Sequence, residues 1–142
     1  MSLLLSVHLL AAGIWAGCVA TEVAFERRLA AAGQHGELAA LHRTVDLAVE
    51  LPALLLVAGS GLALAWGRPI EGLLALKIGF GVLAVLANAV CIAVVLRRDA
   101  VWRAGQMAAH ARLDRLQHRL GTGVVLGLAG AAGTGLWRLA GT

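Results

Sequence analysis

The chain has 142 residues, 60% of them hydrophobic and only 14% charged, a composition that excludes an ordinary soluble globular domain. Its formal charge of +4 comes from basic residues that flank apolar runs, which excludes a nucleic-acid-binding module and reports membrane topology instead. The two cysteines, Cys18 and Cys91, both fall inside apolar runs and read as small packing residues; no structural disulfide is expected.

Four windows carry no acidic or basic side chain: 1–21, 51–67, 78–96 and 120–137. Each approaches the roughly 20 residues a helix needs to cross a hydrocarbon core. The expected fold is an all-α integral membrane four-helix bundle, a single domain over 1–142 with helices near 3–25, 42–66, 72–96 and 118–139. The first run is read as a retained helix and not a signal peptide, because no basic residue precedes it and it exceeds a signal peptide's core. Trp15 fits poorly in a lipoprotein box ending at Cys18.

The second helix starts amphipathically near Leu38 or Leu41 and becomes wholly apolar beyond Pro52, which is expected to bend it slightly. Gly67-Arg68-Pro69 marks a turn. In the charged stretch Arg97 to Arg119, helix is expected in the second half, where His110, Asp114 and His118 share one face. Helix four is glycine-rich, with Gly121, Gly123, Gly127, Gly130, Gly133 and Gly135, which permits close helix packing or leaves room for a flat cofactor. No internal repeat is evident. Arg27, Arg28, Arg43, Arg97, Arg98, Arg103, Arg112, Arg115 and Arg119 lie at the ends joined by the first and third loops, against Arg68, Lys77 and Arg138 on the other side. The positive-inside rule then places both termini outside the cytoplasmic membrane.

Polar groups within membrane helices are costly and become functional candidates. On helix one His8, Trp15 and Glu22 recur every seven residues. On helix three Lys77, Gly81, Ala84, Asn88 and Cys91 form one stripe, and on helix two His42, Asp46 and Glu50 share a face. These sort into two layers. The outer layer, His8 and Lys77, suits a haem: imidazole ligates iron, and an ammonium pairs with a propionate or supplies a second ligand. Without His8 beside it, Lys77 reads as a snorkelling side chain. The inner layer contains Glu22, Asp46, Glu50, Asn88, Cys91, Asp114 and His118, with His42 near it. It carries the ingredients of a metal site built from several bundle helices. Alternatively His42, Asp46, Asp114 and His118 decorate the wet helix ends. Glu22 and Glu50 lie deeper and must be protonated or paired with a cation.

The run Val7-His8-Leu9-Leu10-Ala11-Ala12-Gly13-Ile14-Trp15-Ala16-Gly17 is similar to the first helix of two related bacterial membrane families, the copper-resistance protein D domain and the small four-helix haem-containing protoporphyrinogen IX oxidases. Glu50-Leu51-Pro52-Ala53-Leu54-Leu55 with Gly59 and Gly61 resembles their second helix, and Leu76-Lys77-Ile78 the start of their third. The resemblance implies a haem or metal protein of the bacterial inner membrane, with His8 and Lys77 at the family's histidine and lysine positions. The chain departs from the oxidases at Asn88, where they tend to carry a further histidine, and in lacking tyrosine.

Three functional expectations follow. The first is a b-type haem redox protein, with His8, Lys77, Trp15 and Asn88 around the cofactor, passing electrons to a quinone or oxidising a porphyrinogen. The second is binding or transport of copper or iron at Glu22, His42, Asp46, Glu50, Cys91, Asp114 and His118. The third is a non-catalytic subunit whose Gly/Ala seams dock other membrane helices, as a homo-oligomer or within a larger complex.

Overall fold

The computed structural model describes residues 2–140; of Arg138, counted above for topology, the side chain lies outside the described part. Among the described residues the chain is entirely helix and turn. The elements are α1 (Leu3–Ala31), α2 (His35–Val45), a π-helical turn (Asp46–Glu50), α3 (Leu51–Ala65), α4 (Gly72–Arg103) and α5 (Met107–Ala140). The α2–π–α3 segment is one continuous rod. There are therefore four helical segments long and apolar enough to cross a membrane: Leu3–Ala31, His35–Ala65, Gly72–Arg103 and Met107–Trp137.

All four rods are longer than the charge-free windows indicate, helix two by starting at His35. Helix one runs six residues beyond Phe25, helix three extends to Arg103, and the fourth begins at Met107 instead of 118. The charges of these extensions are arranged on helical faces, so they solvate the ends of the rods without breaking them. The first and third connections shrink to three residues, Ala32-Gly33-Gln34 and Ala104-Gly105-Gln106. Both are built alike. Gly33 and Gly105 each have φ of 71°. Gln34 N–H bonds Leu29 C=O at 2.9 Å and Gly33 N–H bonds Ala30 C=O at 3.0 Å; Gln106 and Gly105 repeat the pattern on Val101 and Trp102 at 3.0 Å each. This is the Schellman termination, and its left-handed residue favours glycine. The same tripeptide thus closes both hairpins.

The expected bend at Pro52 is a π turn immediately before it. Leu51 N–H reaches back to Asp46 C=O, a five-residue step. Proline removes one N–H and crowds the preceding turn, and a single widened turn is a common accommodation, frequently at functional sites.

α4 and α5 pack along their length, α1 lies against α2 and α3, and α2 contacts α4. The core is small: Trp15, Ala53, Leu54, Ala84, Ile92 and Val124 form its centre. Large apolar residues elsewhere face outward, among them Leu10, Leu55, Leu62, Leu86, Leu126 and Leu136, as expected where lipid is the solvent. Of the α5 glycines, Gly127 and Gly130 serve close packing. A Cβ on Gly127 would lie 2.9 Å from the Phe80 carbonyl oxygen and 2.8 Å from Ala84 Cβ, and one on Gly130 would meet the Phe80 ring at 2.6 Å. Gly121 and Gly133 face open space.

Candidate functional site

The structure separates the two polar layers and makes the inner one much the richer. In the outer layer, His8 engages α3. Its Nδ1 lies 3.0 Å from Ser60 Oγ on α3, and its Cε1 lies where Gly61 has no side chain, 3.2 Å from the position of a Cβ. The Ser60 hydroxyl donates its one hydrogen to backbone, in a close contact with the Leu56 carbonyl. With that hydrogen committed to backbone, Ser60 accepts from His8, which assigns the proton to Nδ1 and leaves the Nε2 lone pair free. The Lys77 ammonium lies beside Gly135 of α5, Nζ 3.5 Å from a Cβ position there. Trp15 is 1% exposed in the core, and its indole N–H makes no hydrogen bond among the described residues.

The inner layer is a column of polar side chains inside the bundle. Its deepest part joins α1, the π turn and α4. Glu22, Asp46 and Glu50 each place a carboxylate oxygen within 4.8 Å of the others. Asn88 donates from Nδ2 to Glu50 Oε2 at 3.2 Å. Asp46, Glu50 and Asn88 are 2–3% exposed. One oxygen each of Glu22 and Glu50 is buried with no hydrogen bond among the described residues. The widened turn is what positions this group: Asp46 and Glu50 open and close it, and both point inward to meet Glu22 across the α1 interface. Cys91, three residues beyond Asn88, is half-buried and stands outside the 4.8 Å group.

One step nearer the helix ends lies a second group, Glu26, Asp114 and His118, also within 4.8 Å of one another. This one already contains a cation. Arg98, 1% exposed, donates from Nη1 to Asp114 Oδ1 at 2.9 Å and stands 3.9 Å from Glu26 Oε1. His118 donates from Nδ1 to the Asp114 carbonyl at 2.8 Å and brings Nε2 to 3.6 Å from Glu26. Arg98 Nε and Nη2 are buried with no hydrogen bond among the described residues.

His42 belongs to neither group. It is 2% exposed, and its Nδ1 meets Gln117 Nε2 at 2.7 Å. With the amide donating, the His42 proton sits on Nε2, where it finds no acceptor. The reading of His42 and Asp46 as decoration of wet helix ends is corrected by their burial; Asp114 and His118, 36% and 54% exposed, fit it better. Arg98 is likewise no headgroup-facing arginine.

Three residues at this column were missed from sequence: Glu26, Arg98 and Gln117. Spacing could have found the first two. Glu26 is four residues beyond Glu22, and Arg98 is seven beyond Cys91, on the stripe that runs through Asn88. Gln117 carries no comparable signal. Comparison with known proteins returns nothing: no family model, curated protein or solved structure matches this chain.

Proposed function

We propose that this is a multi-pass membrane protein that binds a divalent metal ion at Glu22, Asp46 and Glu50. The observation that carries the reading is three carboxylates inside the bundle, with oxygens inside one 4.8 Å group and, among the described residues, no basic side chain bonded to any of them. Close like charges in a medium of low dielectric repel strongly, so the group requires protons or a cation. The spacing suits a cation. Oxygens on opposite sides of an ion, at about 2.1–2.4 Å from it, lie about 4.2–4.8 Å apart. Asn88 orients Glu50 in the manner of the outer partners that fix metal ligands.

The donor set also favours some ions over others. It contains oxygen only, with the Cys91 thiol outside it, and carboxylate oxygen suits iron(II) or manganese(II) better than copper(I), which prefers sulfur. Protein loaded with manganese(II) or iron(II), freed of unbound ion and analysed for metal, is expected to retain one ion per chain and to lose it in Glu50→Gln. Retention below a tenth of an ion per chain in the parent protein would remove the reading.

A second reading, a b-type haem protein of electron transfer or porphyrinogen oxidation linked to a quinone, is favoured by the Ser60 contact of His8. That contact leaves Nε2 with the lone pair an axial ligand needs, and buried partners of this kind are usual behind ligating histidines. His8 would be the residue that holds the group. Lys77, set against Gly135, would supply the cation for a propionate. A Soret band in the purified protein that disappears in His8→Ala would support haem, and its absence in protein made with haem supplied would end this reading.

A further inference from the structure

We infer that the cleft between α2 and α4, at the end of the bundle bearing the Ala-Gly-Gln turns, binds the phosphate of an anionic phospholipid headgroup. The inference is independent of the metal site. The cleft, of about 400 Å³, is walled by Gly36 and Arg43 of α2 and by Asp99, Trp102 and Arg103 of α4. Its floor is Asp99, whose side chain is 6% exposed. Both arginines converge on one oxygen of that carboxylate: Arg43 Nε stands 3.5 Å from Oδ2, and Arg103 Nη2 contacts the same atom. Two guanidiniums on one carboxylate leave a net positive charge in the cleft. Each uses a single nitrogen on Asp99, and among the described residues their other N–H groups meet no acceptor. The buried Asp99 thus holds two exposed guanidinium forks side by side, an arrangement suited to bidentate recognition of an oxyanion.

The surroundings select a lipid as the source of that oxyanion. Trp102 forms one wall and packs so tightly on Gly36 that a Cβ there would sit 2.6 Å from its indole nitrogen. An indole at the mouth of a membrane helix pair is the usual companion of headgroups. Leu47, one helical turn inward from Arg43 on the same face, is 39% exposed and offers a track for an acyl chain. The charge asymmetry of the sequence assigns this end to the cytoplasmic side, where anionic lipid is attracted to basic clefts.

The test is native mass spectrometry of the detergent-purified chain titrated with phosphatidylglycerol, with phosphatidylcholine, and with phosphatidylglycerol in the presence of millimolar inorganic phosphate. One phosphatidylglycerol is expected to bind at least about fivefold more tightly than phosphatidylcholine, the effect of roughly one well-placed basic residue. Arg43→Gln, which leaves Asp99 paired to Arg103 and the fold supported, should lose about fivefold. Equal retention of the two lipids, or unchanged affinity in Arg43→Gln, would overturn the proposal. Displacement of the lipid by inorganic phosphate would also overturn it, assigning the cleft to the free anion.

Discussion

The two acidic groups of the inner layer, Glu22–Asp46–Glu50 and Glu26–Asp114–His118, are alike in size and in drawing on more than one helix, yet they differ in what neutralises them. The second holds the Arg98 guanidinium at 2.9 Å from Asp114. Among the described residues the first has only the Asn88 amide, at 3.2 Å from Glu50. A carboxylate cluster with a buried arginine is complete as a structural element. One with a neutral amide is short of positive charge, and that deficit is what a metal ion supplies.

The largest expected effect falls on the completed group. Arg98→Met removes the cation that Asp114 and Glu26 share, and should lower stability in detergent by ~2–3 kcal/mol. That is below the cost for wholly buried pairs, because the Asp114 side chain is 36% exposed. Thermal unfolding measures it, and a loss of under ~0.5 kcal/mol would show that Arg98 is not holding the group together. Glu50→Gln should instead keep or raise stability, since it removes repulsion inside the incomplete group, while losing the bound metal. Opposite signs for these two variants are the sharpest statement of the difference between the groups.

A smaller effect is expected from proton competition. Metal affinity at the carboxylate trio should fall as pH falls, because the ligands must be deprotonated to bind. An affinity that stays flat across the acidic range would point away from carboxylate ligation. The smallest effect is expected from Glu26→Gln, where metal affinity should stay within about twofold of the parent, since Arg98 and not a metal balances that site. A loss comparable to that of Glu50→Gln would erase the distinction between the two groups.

Much of the fold was legible in the sequence because hydrocarbon imposes one demand, apolar length, and the four windows meet it. The rod ends were not, because amphipathic charged extensions such as Arg97 to Arg103 read equally as loop when no partner face is known. Pro52 announced a disturbance but not its form; that the widened turn would present Asp46 and Glu50 together depends on how the chain absorbs the lost hydrogen bond. Glu22, Asp46, Glu50 and Asn88 stood out because ionisable or polar residues in apolar surroundings are rare. Arg98 did not, since an arginine at a helix end has an ordinary reading as a topology signal, and only the packing of α4 on α2 and α5 turns it inward. The His42–Gln117 contact joins residues 75 apart, and no local pattern encodes it.

The most direct test of the central claim is a manganese(II) titration of the purified protein followed by electron paramagnetic resonance, in the parent chain and in Glu50→Gln. Broadening of the six-line signal of the free ion up to one equivalent in the parent, with the free-ion signal retained throughout in Glu50→Gln, is the predicted result. A free-ion signal that grows from the first addition in both proteins would contradict a metal site at Glu22, Asp46 and Glu50.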